Sequence, residues 1–525
     1  MKPSELVLTV SNLINAGQYS KALSLFQRIE KRFPKNIYVQ FSRHAFYIDL
    51  GLGIEGPSLV WKGIKSGTKL LKNENFIPSQ GSIHYNIANG YSALYTLEKK
   101  QDTSKGTDPD YENLKQAKKH FRLAVEKIQP SQNYLLPQLW TNYANCLSHL
   151  GRDIEALELY DKALVISPEF PMAVGNKAES LIRFADISGD YQAAIHRTAY
   201  QMLKSIIENP DLDRFGGQGA HLAFQKDIEK IESRFSDPSK LVEPLSHPPI
   251  DFASLDGFES EYIQFCLDFH LFLNLHIHAD ACKAAIGDPI FIQLITALDD
   301  DHTFSQYASQ INQIKEDFVV ARLQLFLALH RSQTFDEISE LTTFVRDFDT
   351  STFTIFTGLL KGAFKSAFGI MDKVACFVNE YCEVGLDETS IQFSNPDPRC
   401  CVWRHGGSIR QHIHQKNNSS LFAIYDIFLD FIGGHYSTFH EIRNALTHRR
   451  LIIVHEKRPF DDSGTIGFAE MVTSTIELMQ LTRAVIIYLI NFVSLETRRT
   501  KAETFVDKPI GDLFADSTQI FHNDE

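Results

Sequence analysis

At 525 residues the chain is longer than one ordinary hydrophobic core sustains, since single cores stop growing at roughly 250 to 300 residues, and two domains are expected. Hydrophobic residues at 43%, including 39 phenylalanines, with charged residues at 22% exclude a globally disordered chain. A formal net charge of −13 and seven cysteines without a Cys-x-x-Cys pair argue against a protein that coats nucleic acid through bulk charge and against a disulfide-framed secreted domain. The start, Met1-Lys2-Pro3-Ser4-Glu5, has no apolar h-region, and the most lipid-like stretch, Ala484 to Val493, is about half of a bilayer span. A soluble cytoplasmic protein with no membrane partner is the expectation.

In chain order, the first elements read as helical pairs. Gly17, Tyr19, Ala22, Leu25, Phe26 and Pro34 place a turn, a small contact residue and a terminator. Gly51-Leu52-Gly53-Ile54-Glu55-Gly56 has no preceding strand and reads as a loop between helices, not as a phosphate-binding turn. A degenerate copy begins at His84-Tyr85-Asn86-Ile87-Ala88-Asn89-Gly90-Tyr91 and resumes at Leu114, with Ala117, Phe121 and Ala124. The polar run Lys99 to Asp110 between its halves reads as an insertion. The clearest copy runs from Leu139 to Pro168, with Trp140, Tyr143, Ala144, Leu147, Gly151, Ala156, Tyr160 and Ala163 in register. Small residues fall where two helices approach closely, Gly151 makes the turn and Pro168 stops the second helix. A fourth copy is suggested by Gly189-Asp190-Tyr191 with Ala193 and Ala194. These units resemble tetratricopeptide repeats over residues 1–235. The resemblance implies a concave surface that binds a protein or peptide, the alternative being a scaffold with no separate ligand.

Pro238, Pro244, Pro248 and Pro249 break helical periodicity, which makes 236–258 a linker. Beyond it, apolar positions recur at helical spacing in Tyr262 to Leu275, Phe318 to Leu329, Thr354 to Tyr381, Leu421 to Ile432, Phe439 to Val454 and Phe468 to Leu495. No alternating strands are evident. The expected fold is all-α: a helical-repeat solenoid followed by a helical domain over 259–500 and a tail over 501–525. The long connection Glu383 to Ser420 carries Arg399, Arg404, His405, Arg410, His412, His414 and Lys416, and connections of that length are commonly functional or disordered.

Chemistry concentrates in His440-Glu441-Ile442-Arg443-Asn444-Ala445-Leu446-Thr447-His448-Arg449-Arg450. Asn444 and His448 are one helical turn apart. Arg443 lies about 140° around the helix from His448 at ~100° per residue, within the swing of its long side chain. A guanidinium, an amide and an imidazole together suit RNA cleavage by 2′-hydroxyl attack on the adjacent phosphate. His448 would transfer the proton, Arg443 would hold the phosphate and Asn444 would orient the imidazole or hold the sugar-phosphate. From His440 to Arg458, five basic residues face two acidic ones, a local net of +3 in an acidic chain. The plainer reading is a solvated helix face ending in a histidine.

Arg443-Asn444-x-x-x-His448 resembles the Arg-x4-6-His motif of HEPN (higher eukaryotes and prokaryotes nucleotide-binding) domains. Phe364 to Tyr381, containing Gly369-Ile370-Met371-Asp372-Lys373-Val374-Ala375, looks like the long helix of that superfamily whose polar residue faces the site. The resemblance implies a metal-independent endoribonuclease with Arg443 and His448 as the catalytic pair, beside Asn444 and with Asp372 in support. Arg449, Arg450, Arg404 and Arg410 are the expected RNA contacts. It places the motif at the start of a helix after a helical hairpin, and it implies a homodimer through the C-terminal domain, because one histidine cannot act as both base and acid. A repeat array fused to such a domain is similar to toxins and antiviral defence effectors regulated by a protein or peptide trigger. The rival reading is a non-catalytic interaction scaffold with a dimerising domain. No metal or cofactor is expected: His270, His276, His278, Asp280 and Cys282, or Asp299-Asp300-Asp301-His302, or His405, His412 and His414 show no recognised ligand spacing.

Overall fold

The computed structural model describes residues 2–101, 111–189, 192–243, 250–279, 282–292, 301–330, 333–343, 351–395, 397–404, 409, 411–461 and 463–501. Most of the insertion around Lys99 to Asp110, the Asp190-Tyr191 pair, Pro244 to Pro249, Asp280, Asp299-Asp300, His405, Arg410 and the tail beyond 501 lie outside the described residues. The chain divides into two compact units: Met1–Ser180 with Ala199–Arg234, and Leu181–Thr198 with the chain from Phe235 onward.

The first unit opens with consecutive helix pairs: α1 (Pro3–Asn15) with α2 (Tyr19–Arg32), α3 (Ile37–Gly53) with α4 (Pro57–Leu70), α5 (Gln80–Gln101) with α6 (Glu112–Lys127), and α7 (Leu136–His149) with α8 (Asp153–Ile166). α9 (Pro171–Phe184), α10 (Gln192–Ile206) and α11 (Pro210–Arg234) follow, with Leu181 to Phe184 of α9 and Gln192 to Thr198 of α10 counted in the second unit. Each pair buries an apolar stripe. On α2, Ala22, Phe26 and Ile29 are buried at i, i+4 and i+7, and Phe26 meets Phe46 and Tyr47 edge-on at 5.1 and 5.5 Å. Gly17 and Gly151 take positive φ of 68° and 78° at the turns, a conformation that costs glycine nothing. In the pair from Leu139 to Pro168, Ala144, Ala156 and Ala163 are fully buried with Tyr160, as their small size at a close helix contact requires.

The second unit holds α12 (Gly257–Asp268), α13 (Asp301–Leu329), α14 (Gln333–Glu340), α15 (Ile355–Tyr381), α16 (Ser419–Gly433), α17 (Ser437–His448) and α18 (Phe468–Lys501). α18 is buried at every position from Leu481 to Ser494, and α13, α15 and α16 pack around it. Its stretch Phe468–Thr497 is long and apolar enough to cross a bilayer, with 89% of its most apolar window buried inside the fold. The sequence reading credited only Ala484 to Val493, which Thr482 and Arg483 precede. Arg483 is accommodated by donating from Nε to the Phe272 carbonyl (2.6 Å) and from Nη2 to the Asn274 carbonyl (2.9 Å).

Two expected helices end early. Tyr262 to Leu275 is helical only to Asp268; His270 takes φ 52° and Leu271 to Leu275 continue buried in irregular backbone. Backbone groups that a helix would satisfy internally are taken by side chains: the Leu271 carbonyl accepts from Arg322 Nη1 (2.9 Å), the Leu273 amide donates to Asp288 Oδ1 (2.6 Å), and Arg483 claims the two carbonyls just named. Likewise the helix expected over Phe439 to Val454 stops at His448. Arg449 turns to extended backbone (φ −135°, ψ −149°), and β1 (Ile452–Val454) pairs in parallel with β2 (Thr465–Gly467). Three consecutive β-branched residues favour that extended form, so a small two-stranded sheet interrupts the otherwise helical unit.

One buried histidine makes the first unit acid-sensitive. His44 donates from Nδ1 to the Phe41 carbonyl and accepts at Nε2 from Asn86 (3.0 Å), and burial lowers its pKa from 6.5 to about 4. The unfolded chain therefore binds a proton that the folded unit refuses between those values, and stability present above pH 6.5 is lost as pH falls toward 4, by about 3 kcal/mol for this group. His84 and His120, whose Nδ1 atoms lie 2.9 Å apart, shift the same way. Burial raises the Asp49 carboxyl to about 6, which opposes the histidines over the same range, so in denaturant unfolding at pH 7, 6, 5 and 4 His44→Gln is expected to lose less stability on acidification than the parent chain. A slope unchanged in His44→Gln would remove His44 as a cause.

Candidate functional site

Two helices build the site. α15 begins at Thr354, whose side chain caps the Thr357 amide, and runs as a buried apolar helix that Asp372 interrupts. On α17, Phe439, Ile442 and Ala445 are buried at i, i+3 and i+6. Phe439 packs edge-on against Phe364 at 5.8 Å and against Phe431 at 6.2 Å. That docking aligns the next residues of α17 with α15.

Arg443 is the centre of the group. Its guanidinium lies 5.6 Å over the Phe368 ring, Nη2 is 3.6 Å from Asp372 Oδ2, and Nη1 donates to Asn444 Oδ1 at 3.2 Å. The Asp372 contact is an ion pair beyond hydrogen-bond range, and the Arg443 side chain is 18% exposed. Asp372 accepts at Oδ1 from the Phe393 amide at 2.7 Å. Burial pushes its carboxyl pKa up, and the Phe393 amide and Arg443 charge pull back less strongly. The structure thus brings together Arg443, Asn444 and Asp372. Asn444 faces Arg443, where the sequence reading also allowed it to orient His448.

His448 is the last residue of α17 and is exposed; among the described residues it makes no hydrogen bond or ion pair. The motif therefore sits at the C-terminal end of its helix, not at the start as the resemblance implied. What fixes this end is the segment that follows. The Ile452 amide donates to the Gly464 carbonyl at 2.8 Å, Lys361 Nζ on α15 donates to the Leu451 carbonyl at 2.9 Å, and a Cβ on Gly464 would come within 2.2 Å of the Arg450 carbonyl oxygen. Gly464 holds φ 75° there, which suits glycine on both counts. Arg449 and Arg450 follow His448 and are exposed. Arg404 is exposed at the end of a short turn (Val402–Arg404), and no hydrogen bond or ion pair joins it to the Arg443 group among the described residues. Arg399 is held by Asp397.

Sequence reasoning missed His440 and Ser394. Ser394 Oγ lies 2.8 Å from His440 Nδ1, one turn before Arg443 and Asn444. Phe393 and Ser394 thereby pin the start of the long connection against both helices of the site. No local signal marks this pair, because the partners are 46 residues apart. His440 has its pKa lowered, first by burial and then by the Arg443 charge, with Glu441 opposing. An imidazole titration followed by NMR is expected to place His440 below 6.5, and Arg443→Ala should move its midpoint upward. A midpoint that stays put would show that Arg443 does not act on it.

No curated protein matches the chain. The stretch that carries the site, residues 298–496, less than half of the chain, matches the protein family described as LA2681-like HEPN, which supports a C-terminal HEPN domain in this chain.

Proposed function

We propose that this chain is a metal-independent endoribonuclease whose site is Arg443 and His448, with Asn444 and Asp372 holding the guanidinium. The observation that carries the reading is the fixed Arg443: an ion pair, a hydrogen bond and a ring face set its plane, on the helix that ends in the exposed His448. A guanidinium held this way can donate in parallel to two phosphate oxygens. Preorganised charge is most effective where charge accumulates in the transition state.

In the reaction the 2′-hydroxyl oxygen attacks the adjacent phosphorus, losing its proton to a base. The bond to the 5′-oxygen breaks and that oxygen gains a proton, leaving a 2′,3′-cyclic phosphate and a 5′-hydroxyl. His448 carries one of the two proton transfers. A second copy in a homodimer through the C-terminal domain carries the other, and Arg449, Arg450, Arg404 and Arg410 bind flanking phosphates. The paired helices over 1–235 act as a tetratricopeptide-type sensor for a protein or peptide trigger, joined through 236–258 to the nuclease domain of 259–500, in a toxin or antiviral defence effector of the cytoplasm.

Purified protein incubated with total RNA in excess chelator is expected to leave 2′,3′-cyclic or 3′-phosphate ends. His448→Ala and Arg443→Ala should each lower the rate about 10²- to 10⁴-fold, Asp372→Asn should cost less, and DNA of the same sequence should stay intact because it lacks the 2′-hydroxyl. Undiminished cleavage by His448→Ala would sink the assignment.

A further inference from the structure

The first unit carries a basic, aromatic face that the nuclease reading does not use. Residues 57–72 contain four lysines and no acid. Val60, Gly63, Ile64, Gly67 and Leu70 form the buried side of α4. A Cβ on Gly63 would lie 2.8 Å from the His44 carbonyl oxygen, and one on Gly67 would lie 2.8 Å from Ile87 Cγ1. These glycines let α4 settle close against α3 and α5, which fixes the rotation of its outer side. Lys62, Lys65 and Lys69 are exposed there, a row of charge about 10 Å long at 1.5 Å per residue, and Lys72, just past the end of the helix, is exposed as well.

Ser58, Trp61, Lys62, Lys65, Ser66 and Lys69, all on α4, border an open surface depression of about 390 Å³ with no carboxylate among them. Lys62 is partly spoken for, since it donates to Tyr47 and lies 3.7 Å from Glu30. Lys65, Lys69 and Lys72 make no ion pair among the described residues. Trp61 is 42% exposed and stands perpendicular to Tyr91 at 5.9 Å; Tyr91 stacks on His120 at 5.8 Å. The row of rings crosses α4, α5 and α6, and α6 adds Lys115, Lys119, Arg122 and Lys127 against Glu112 and Glu126, a net of +2, while its Lys118 is buried.

We infer that this face binds single-stranded RNA, with phosphates along Lys65, Lys69 and Lys72 and a base stacked on Trp61. An acidic peptide would use the cations but would leave the indole face exposed. A nucleic acid strand uses both features, since stacking on an aromatic ring adds to phosphate contacts and tolerates any base. The choice of RNA rests on the proposed cleavage activity, for which this face would bind substrate.

The test uses full-length protein carrying His448→Ala, so that the probe stays intact, and a fluorescein-labelled 12-nucleotide oligoadenylate read by anisotropy across a salt series. Binding is expected, with Lys65→Gln/Lys69→Gln lowering the slope of log K against log salt by about 1.4, from roughly 0.7 per phosphate contact on a single strand. Trp61→Ala should weaken binding about tenfold and Trp61→Phe should restore most of it. All three side chains are exposed, and unchanged circular dichroism would show that the variants fold. Absence of binding, indifference to Trp61→Ala, or equal competition by poly-glutamate or by anionic phosphatidylglycerol vesicles would overturn the inference. Failure here, with His448-dependent cleavage intact in the parent chain, would strike only the binding face; binding without cleavage would strike only the nuclease reading.

Discussion

A helix that is apolar on all sides has to be enclosed, and the second unit is arranged around that demand. Leu481 to Ser494 offers water no face, so α13, α15 and α16 are drawn around it. Area removed from water is the dominant favourable term in such packing. Arg483 turns the constraint outward: a guanidinium at 0% exposure must find acceptors, and it finds them in the carbonyls of Phe272 and Asn274. Those same carbonyls are then lost to helical bonding, which is one reason the chain between Asp268 and Ala279 is irregular although its apolar spacing is helical. Arg322 and Asp288 complete the exchange through a two-pronged ion pair at 2.9 Å.

The candidate site inherits its geometry from this packing. α15 is fixed against α18, α17 is fixed against α15 by Phe439 and Phe364, and Arg443 is consequently set over Phe368 beside Asp372. Nothing in that chain of contacts holds the His448 imbidazole itself; its position comes from the corner beyond it, where the small sheet, Lys361 and Gly464 define how the chain leaves the helix. The guanidinium is positioned by side chains and the imidazole by backbone. A group set by backbone keeps rotameric freedom until a ligand removes it.

Most of the fold was legible because helical periodicity is a local signal. Thr354 to Tyr381 and Leu421 to Ile432 correspond closely to α15 and α16. Asp372 was singled out through the resemblance of its helix, and the structure sets it 3.6 Å from the Arg443 guanidinium. The errors came where the deciding contact is distant. Ile452 to Val454 has apolar residues that fit a helix continuing from Phe439, and only pairing with Thr465 to Gly467 makes them a strand. Leu271 to Leu275 is apolar enough for a helix until Arg322 and Arg483, far along the chain, claim its backbone. His440 was within the quoted motif, but its relation to Ser394 is invisible without the connection folding back.

The membership of Leu181–Thr198 in the second unit has a consequence in time. Phe184 meets Tyr488, with ring centroids 6.0 Å apart, yet the ribosome delivers it roughly 300 residues earlier, which at about 5 to 20 residues per second is a wait of some 15 to 60 s. Until then the helix that packs on this segment, where Ala185 and Ile187 are at 0% exposure in the finished fold, has not been made. The order of synthesis therefore sets a minimum delay before the two can meet.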